Sequence, residues 1–243
     1  MASIGGNPLD DYVSQEDPNY KWRAVPELTF KSFFGGTGHV LNVTSQQWLD
    51  ESKVSGPDGS LWTHQVIVII PKNLKFRNIS MAYLTGSCNK NPDAPIKPHS
   101  DEDVLLVDEI AQDTNAITIA VKQIPNCPLV FPSDPEKRGR SEDAILAWAW
   151  KEFLEDPALD PKWLPRLPMV KAAYQSMRAA QEYLKEQSIA EVEGWVVAGA
   201  SKRGWTTWLV GATKCESCAA KILAINPLVP IVPNLVKEIH RQW

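Results

Sequence analysis

The run Gly194-Trp-Val-Val-Ala-Gly-Ala-Ser-Lys-Arg-Gly-Trp205 constrains the fold more than any other part of the chain. Gly194–Ala198 is apolar and short, as expected of a strand buried on both faces. Thr206–Ala212 is apolar again and suits a buried helix. Between them stands Ser201, bracketed by Gly199 and Gly204. A strand that passes to a helix within so few residues must turn sharply, and small neighbours let the two backbones approach. The first N–H groups of the helix have no partners within it and face outward as donors. One reading makes Ser201 a nucleophile held up by the turn; the other makes it a serine that caps the helix.

The nucleophile reading has the logic of the elbow of α/β-hydrolases, where a strained turn exposes the serine and nearby N–H groups hold the oxyanion. The usual spacing is G-x-S-x-G. Here it is Gly199-x-Ser201-x-x-Gly204, one residue longer on the far side. The backbone N–H of Lys202 is one candidate oxyanion donor. A second comes from Thr85-Gly86-Ser87, where Gly86 leaves the backbone unobstructed; the alternative is a plain strand-ending glycine.

The rest of the chain predicts the setting for such an elbow. Residues 1–30 are polar and interrupted by Pro8, Pro18 and Pro26, so an irregular segment is expected. Thr37–Thr44 alternates like an edge strand, Leu61–Ile70 is a β-branched run stopped by Pro71, and Asn78–Thr85 and Ala116–Val121 read as further strands. Asp101–Thr114 has helical spacing. Ser141 is placed to cap a helix over Glu142–Leu154, and Met169–Gln187 predicts another after a loop set by Pro157, Pro161, Pro165 and Pro168. Lys221–Pro227 is a last short strand. Trp148 and Trp208 are expected in the core and Trp205 near the serine. Strands alternating with helices give one α/β domain over residues 1–243, with a mostly parallel sheet flanked by helices.

With 243 residues, 44% of them hydrophobic, the chain is long enough for a sizeable core. A net charge of -4 with no basic stripe argues against nucleic-acid binding. The one basic run, Glu136–Arg140, reads as a solvated loop. No apolar run approaches the roughly 20 residues of a membrane span, and no signal peptide is visible. Four cysteines are too few for a disulfide scaffold. Cys215-Glu-Ser-Cys218 lacks the further ligands a structural zinc needs, which leaves surface thiols or a local disulfide. Cys88 and Cys127 pair only in an oxidising compartment. No metal and no cofactor are expected. Asn42-Val-Thr44 and Asn78-Ile-Ser80 are glycosylation sequons that matter only if the chain is exported.

An acyl-transfer serine needs a base and an orienting acid. In α/β-hydrolases both follow the serine, acid first. After Ser201 the chain has no aspartate; its acids are Glu216 and Glu238, and its histidine is His240. His39, His64 and His99 precede the serine. The side chain of Lys202 diverges from its neighbour's. The expectation is a hydrolase sheet without its C-terminal strands and without hydrolytic turnover. The apolar stretch Ile222–Val236 then predicts self-association.

Six stretches resemble the PhoPQ-activated pathogenicity-related family: Pro8–Val13 with Tyr20–Trp22, Trp62–Gln65, Leu84–Asn89, Ser141–Ala147 with Trp150, Leu167–Ala173, and Gly199–Trp208. The resemblance implies an α/β-hydrolase-like fold with Ser201 at the nucleophile position. It also implies extracellular placement, in members that are longer and usually exported; the match is to their N-terminal part. Three functions follow as alternatives. One is a serine hydrolase acting on a small-molecule or peptide substrate; one is a non-catalytic secreted repressor of proliferation that engages a cell-surface receptor; the third is a truncated product with neither role.

Overall fold

The computed structural model describes residues 6–89 and 95–228. One sheet of eight strands runs in the order β1-β3-β4-β6-β5-β7-β8, with β2 paired to β3 outside this path. β1 (Lys21–Ala24), β2 (Phe30–Lys31), β3 (Thr37–Gln47) and β4 (Leu61–Ile70) form an antiparallel wing that joins β6 (Ala116–Val121) antiparallel through β4. β5 (Phe76–Leu84), β6, β7 (Gly194–Ala200) and β8 (Lys221–Leu228) are mutually parallel. The sheet is therefore mixed, and the expected parallel part is the half that carries Ser201. Thr37–Thr44 is not an edge strand, since β3 is paired on both sides.

Alternation along β4 builds two cores, because successive side chains point to opposite faces. Val66 and Val68 join the larger cluster with α4 (Arg166–Glu186) and α5 (Lys202–Ala212), while Ile67 and Ile69 pack with Val104, Val107 and Ala111 of α2 (Glu102–Thr114). α4 buries most of its length, as an amphipathic helix laid across a sheet must.

Local chemistry explains where the elements depart from expectation. The stretch expected to be irregular over residues 1–30 holds α1 (Pro8–Ser14), β1 and a 3-10 turn. Asn7 caps α1 by accepting from the Leu9 N–H, and Pro8 has the preset φ of a first helical residue. α3 (Asp143–Glu155) starts without a capping side chain: its N-cap is Glu142 and not Ser141. Pro168 lies in the first turn of α4, where its missing N–H costs no helical bond, so that helix begins earlier than the prolines suggest. The basic run Glu136–Arg140 is a solvated loop over Glu136–Gly139, and only Arg140 turns inward. Arg140 pairs at 2.7 Å with buried Asp134, and its guanidinium lies 4.3 Å over the half-buried Trp148 ring. Trp208 is 56% exposed and lies outside the core.

Candidate active site around Ser201

β7 delivers Ser201 at the C-terminal edge of the parallel strands, and α5 begins at the next residue. Ser201 is exposed and adopts φ 55, ψ -121, a conformation an L-residue holds only when its surroundings impose it. The imposing contacts are visible. The Ser201 N–H donates to Leu228 O of β8 at 2.7 Å, and Ser201 O accepts from the Trp205 N–H at 3.1 Å.

The longer Gly-x-Ser-x-x-Gly spacing has a steric reason. A Cβ on Gly199 would meet Arg203 O at 2.8 Å, and one on Gly204 would meet Leu228 O at 2.6 Å and Gly199 O at 3.0 Å. The second glycine is needed where α5 crosses β8, three residues after the serine. The position two residues after the serine is then free to carry the long side chain of Arg203.

Arg203 and Lys202 organise the surroundings through Glu142. Arg203 donates from Nη2 to Glu142 Oε1 and from Nε to Ile124 O, both at 2.5 Å. Lys202 Nζ lies 2.8 Å from Glu142 Oε2 and 3.0 Å from Asp143 Oδ1. The Lys202 side chain thus turns away from the serine. Glu142 has φ 52, ψ -123, nearly the backbone geometry of Ser201, so two strained residues are tied together through adjacent cations. Burial by itself would raise the Glu142 carboxyl; hydrogen bonds from Arg203 and Lys202, with their charges, outweigh it and hold the pKa below the usual value.

Arg166, at the start of α4, supports the first turn of α5. Its Nη1 donates to Lys202 O at 2.7 Å, and its guanidinium stacks 4.6 Å from the ring centroid of Trp205, which is 45% exposed beside the serine. Burial pushes Arg166 down to about 10, which leaves it charged at neutral pH. Its Nε is buried without an acceptor.

Of the two proposed oxyanion donors, the N–H groups of Lys202 and Gly86 find no acceptor among the described residues. The carbonyl of Gly86 accepts from the Gln123 N–H at 2.8 Å. The Arg203 guanidinium fills the space a Gly86 side chain would need. The Gly86 loop is anchored by the Cys88–Cys127 disulfide and by Asn89, whose N–H donates to Cys127 O at 2.6 Å.

The described histidines are occupied elsewhere. His64 is buried on β4, its Nε2 2.9 Å from Ser45 Oγ and its Nδ1 3.0 Å from Lys122 O. His39 Nδ1 pairs with Tyr183 Oη at 2.9 Å, and His99 stacks edge-on with Phe33. His240 and Glu238 lie outside the described residues. Among the described residues no side chain hydrogen-bonds to the Ser201 hydroxyl. Sequence reasoning missed Glu142, Arg203 and Arg166. Arg203 lay inside the serine motif and signalled its own importance, whereas Glu142 and Arg166 are joined to it only in three dimensions.

The chain is similar to known proteins over its whole length. It is 35% identical over 243 residues to Autocrine proliferation repressor protein A of Dictyostelium discoideum; that match covers 100% of this chain and 45% of that protein, so the chain spans less than half of this relative. Among solved structures it is similar to a glucuronoyl esterase from Solibacter usitatus (TM-score 0.43, 13% identity, covering 84% of this chain and 53% of that one). It is also similar to lipase A of Candida antarctica (TM-score 0.44, 13% identity, covering 91% and 46%). The PhoPQ-activated pathogenicity-related protein model matches residues 9–243. With the strand order, the Ser201 turn and this match in hand, the chain has an α/β-hydrolase-like sheet and turn and belongs to the PhoPQ-activated pathogenicity-related family.

Proposed function

We propose that Ser201 is the nucleophile of an acyl-transfer site of the esterase or peptidase type. The observation that carries this reading is the backbone of Ser201, held at φ 55 between β7 and α5 with the Lys202 N–H free beside it. The Ser201 side chain makes no cap bond, so its hydroxyl is not used by the helix it precedes. A serine hydroxyl without a positioned base is a weak nucleophile, and an oxyanion hole alone leaves only a small residual rate. Among the described residues nucleophile and donors stand without acid and base; in this reading the chain by itself turns over esters negligibly, and a longer chain that supplies Asp and His is the active form. Fluorophosphonate labelling of this chain and of a full-length family member tests both parts. Labelling of the full-length protein, abolished by Ser201→Ala at the matching serine, supports the reading; a full-length protein that never labels ends it.

A second reading is favoured by the 35% identity to a proliferation repressor. In it the chain belongs to a secreted signal that uses the hydrolase scaffold to engage a cell-surface receptor. Full-length protein with Ser201→Ala that still represses proliferation of responsive cells separates this reading from the enzymatic one.

A further inference from the structure

The two disulfides differ in kind. Cys88–Cys127 joins residues 39 apart, and Cys127 is fully buried. Cys215–Cys218 closes a loop between α5 and β8 across a sequence separation of 3, and both cysteines are partly exposed. A cross-link removes less chain entropy the shorter its loop, so the second bond contributes little to holding the fold. Three further features suit it to exchange. The Cys218 N–H donates to Cys215 O at 3.4 Å, a turn that keeps the two sulfurs close without the bond. Cys218, unlike Cys215, lines a cleft of about 340 Å³ shared with Lys171, Tyr174, Arg178, Glu16 and Glu182, a space an incoming molecule can enter beside it. Ser217 Oγ lies 3.6 Å from Cys215 Sγ, where its hydroxyl can donate to the other sulfur as it becomes a thiolate.

We propose that Cys215–Cys218 is a thiol-exchange site, with Cys218 the sulfur attacked and Cys215 the leaving group. A thiolate entering the cleft attacks Cys218 Sγ. The S–S bond breaks, its electron pair goes to Cys215 Sγ, and a mixed disulfide forms at Cys218. A second thiol of the same reductant then attacks its own sulfur in that bond and releases Cys218 as a thiolate. The net change is two electrons from a dithiol to the cysteine pair, with two protons taken up and the reductant left as a disulfide. A monothiol stops at the mixed disulfide, or Cys215 attacks back and expels it.

The test is stepwise reduction of the purified, oxidised chain with dithiothreitol, quenching by iodoacetamide and mapping both pairs by mass spectrometry. Cys215 and Cys218 are expected to be alkylated at reductant levels that leave Cys88–Cys127 intact, with the far-ultraviolet circular dichroism unchanged. A brief pulse of glutathione quenched with excess iodoacetamide should place the adduct on Cys218 and the alkyl group on Cys215. A Cys215→Ser/Cys218→Ser double variant should keep the melting temperature within a few degrees and leave the titration of Cys88–Cys127 where it was. Opening of both disulfides in one step overturns the proposal, as does survival of Cys215–Cys218 until the protein unfolds. An adduct found on Cys215 overturns the assigned order of attack.

Discussion

At the scale of single residues, half-buried Glu142 and fully buried His64 behave differently with pH. Glu142 keeps its charge because two cations face it. His64 has no such partner: burial outweighs its hydrogen bonds to the backbone and lowers it to about 4, from an ordinary 6.5. The unfolded chain therefore binds a proton at His64 between those values while the folded chain does not. The stabilisation from keeping this ring neutral is complete above about pH 6.5 and is lost as pH falls toward 4, up to roughly 3 kcal/mol in all. Thermal melts of wild type and His64→Gln from pH 7.5 to 4.5 should show the wild type losing stability more steeply below pH 6.5. Parallel pH profiles for the two proteins would contradict this. Both ring nitrogens of His64 are engaged, by Ser45 Oγ and Lys122 O, and take no part at Ser201.

At the scale of elements, the crossing of α5 and β8 decides how Ser201 is held. A Cβ at Gly204 meets backbone oxygens on both sides, which cannot rotate away, whereas one at Gly211 meets side-chain carbons of Ile225 at 2.9 Å. Alanine gains about 1 kcal/mol over glycine within a helix, and overpacking costs about 1–3 kcal/mol. Gly204→Ala should therefore destabilise by up to about 2 kcal/mol net, and Gly211→Ala by distinctly less. Urea unfolding of the two variants checks the order; equal midpoints would mean that β8 does not pin the serine turn. The periodicity that revealed α2, α4, β4 and β6 is local, so these elements were legible in the sequence. The start of α3 was not, because Glu142 is held in its strained geometry by Lys202 and Arg203, some 60 positions further along the chain.

At the scale of the molecule, β8 is the edge of the sheet among the described residues, and its surroundings are apolar. Leu223 and Leu228 on β8 are 47% and 58% exposed, with Trp205 and Trp208 of α5 at 45% and 56%. Unpaired strand edges beside exposed large side chains favour association. We propose that this surface drives self-association of the isolated chain. Light scattering should show mass rising with concentration, and a charge on the edge strand, Leu223→Lys, should reduce it. A monomer at every concentration would remove the proposal. Elsewhere the described residues carry no helix long and apolar enough to cross a membrane.

Fold class and the nucleophile candidate were legible in the sequence because both rest on short-range rules. A buried strand is continuously apolar, an amphipathic helix repeats near every fourth residue, and a sharp strand-to-helix turn needs small residues around its serine. Those rules reach only a few positions along the chain. They do not say that β3 is paired on both sides, that Trp208 faces outward, or that Arg166 and Glu142 stand beside Ser201. Each of these depends on which distant segments the sheet brings together, and on charges that are desolvated only once they meet. The sequence alone therefore determined where the serine turn would stand. The tertiary structure decided what holds it there, because strain at one residue persists only when contacts from remote parts of the chain over-determine it.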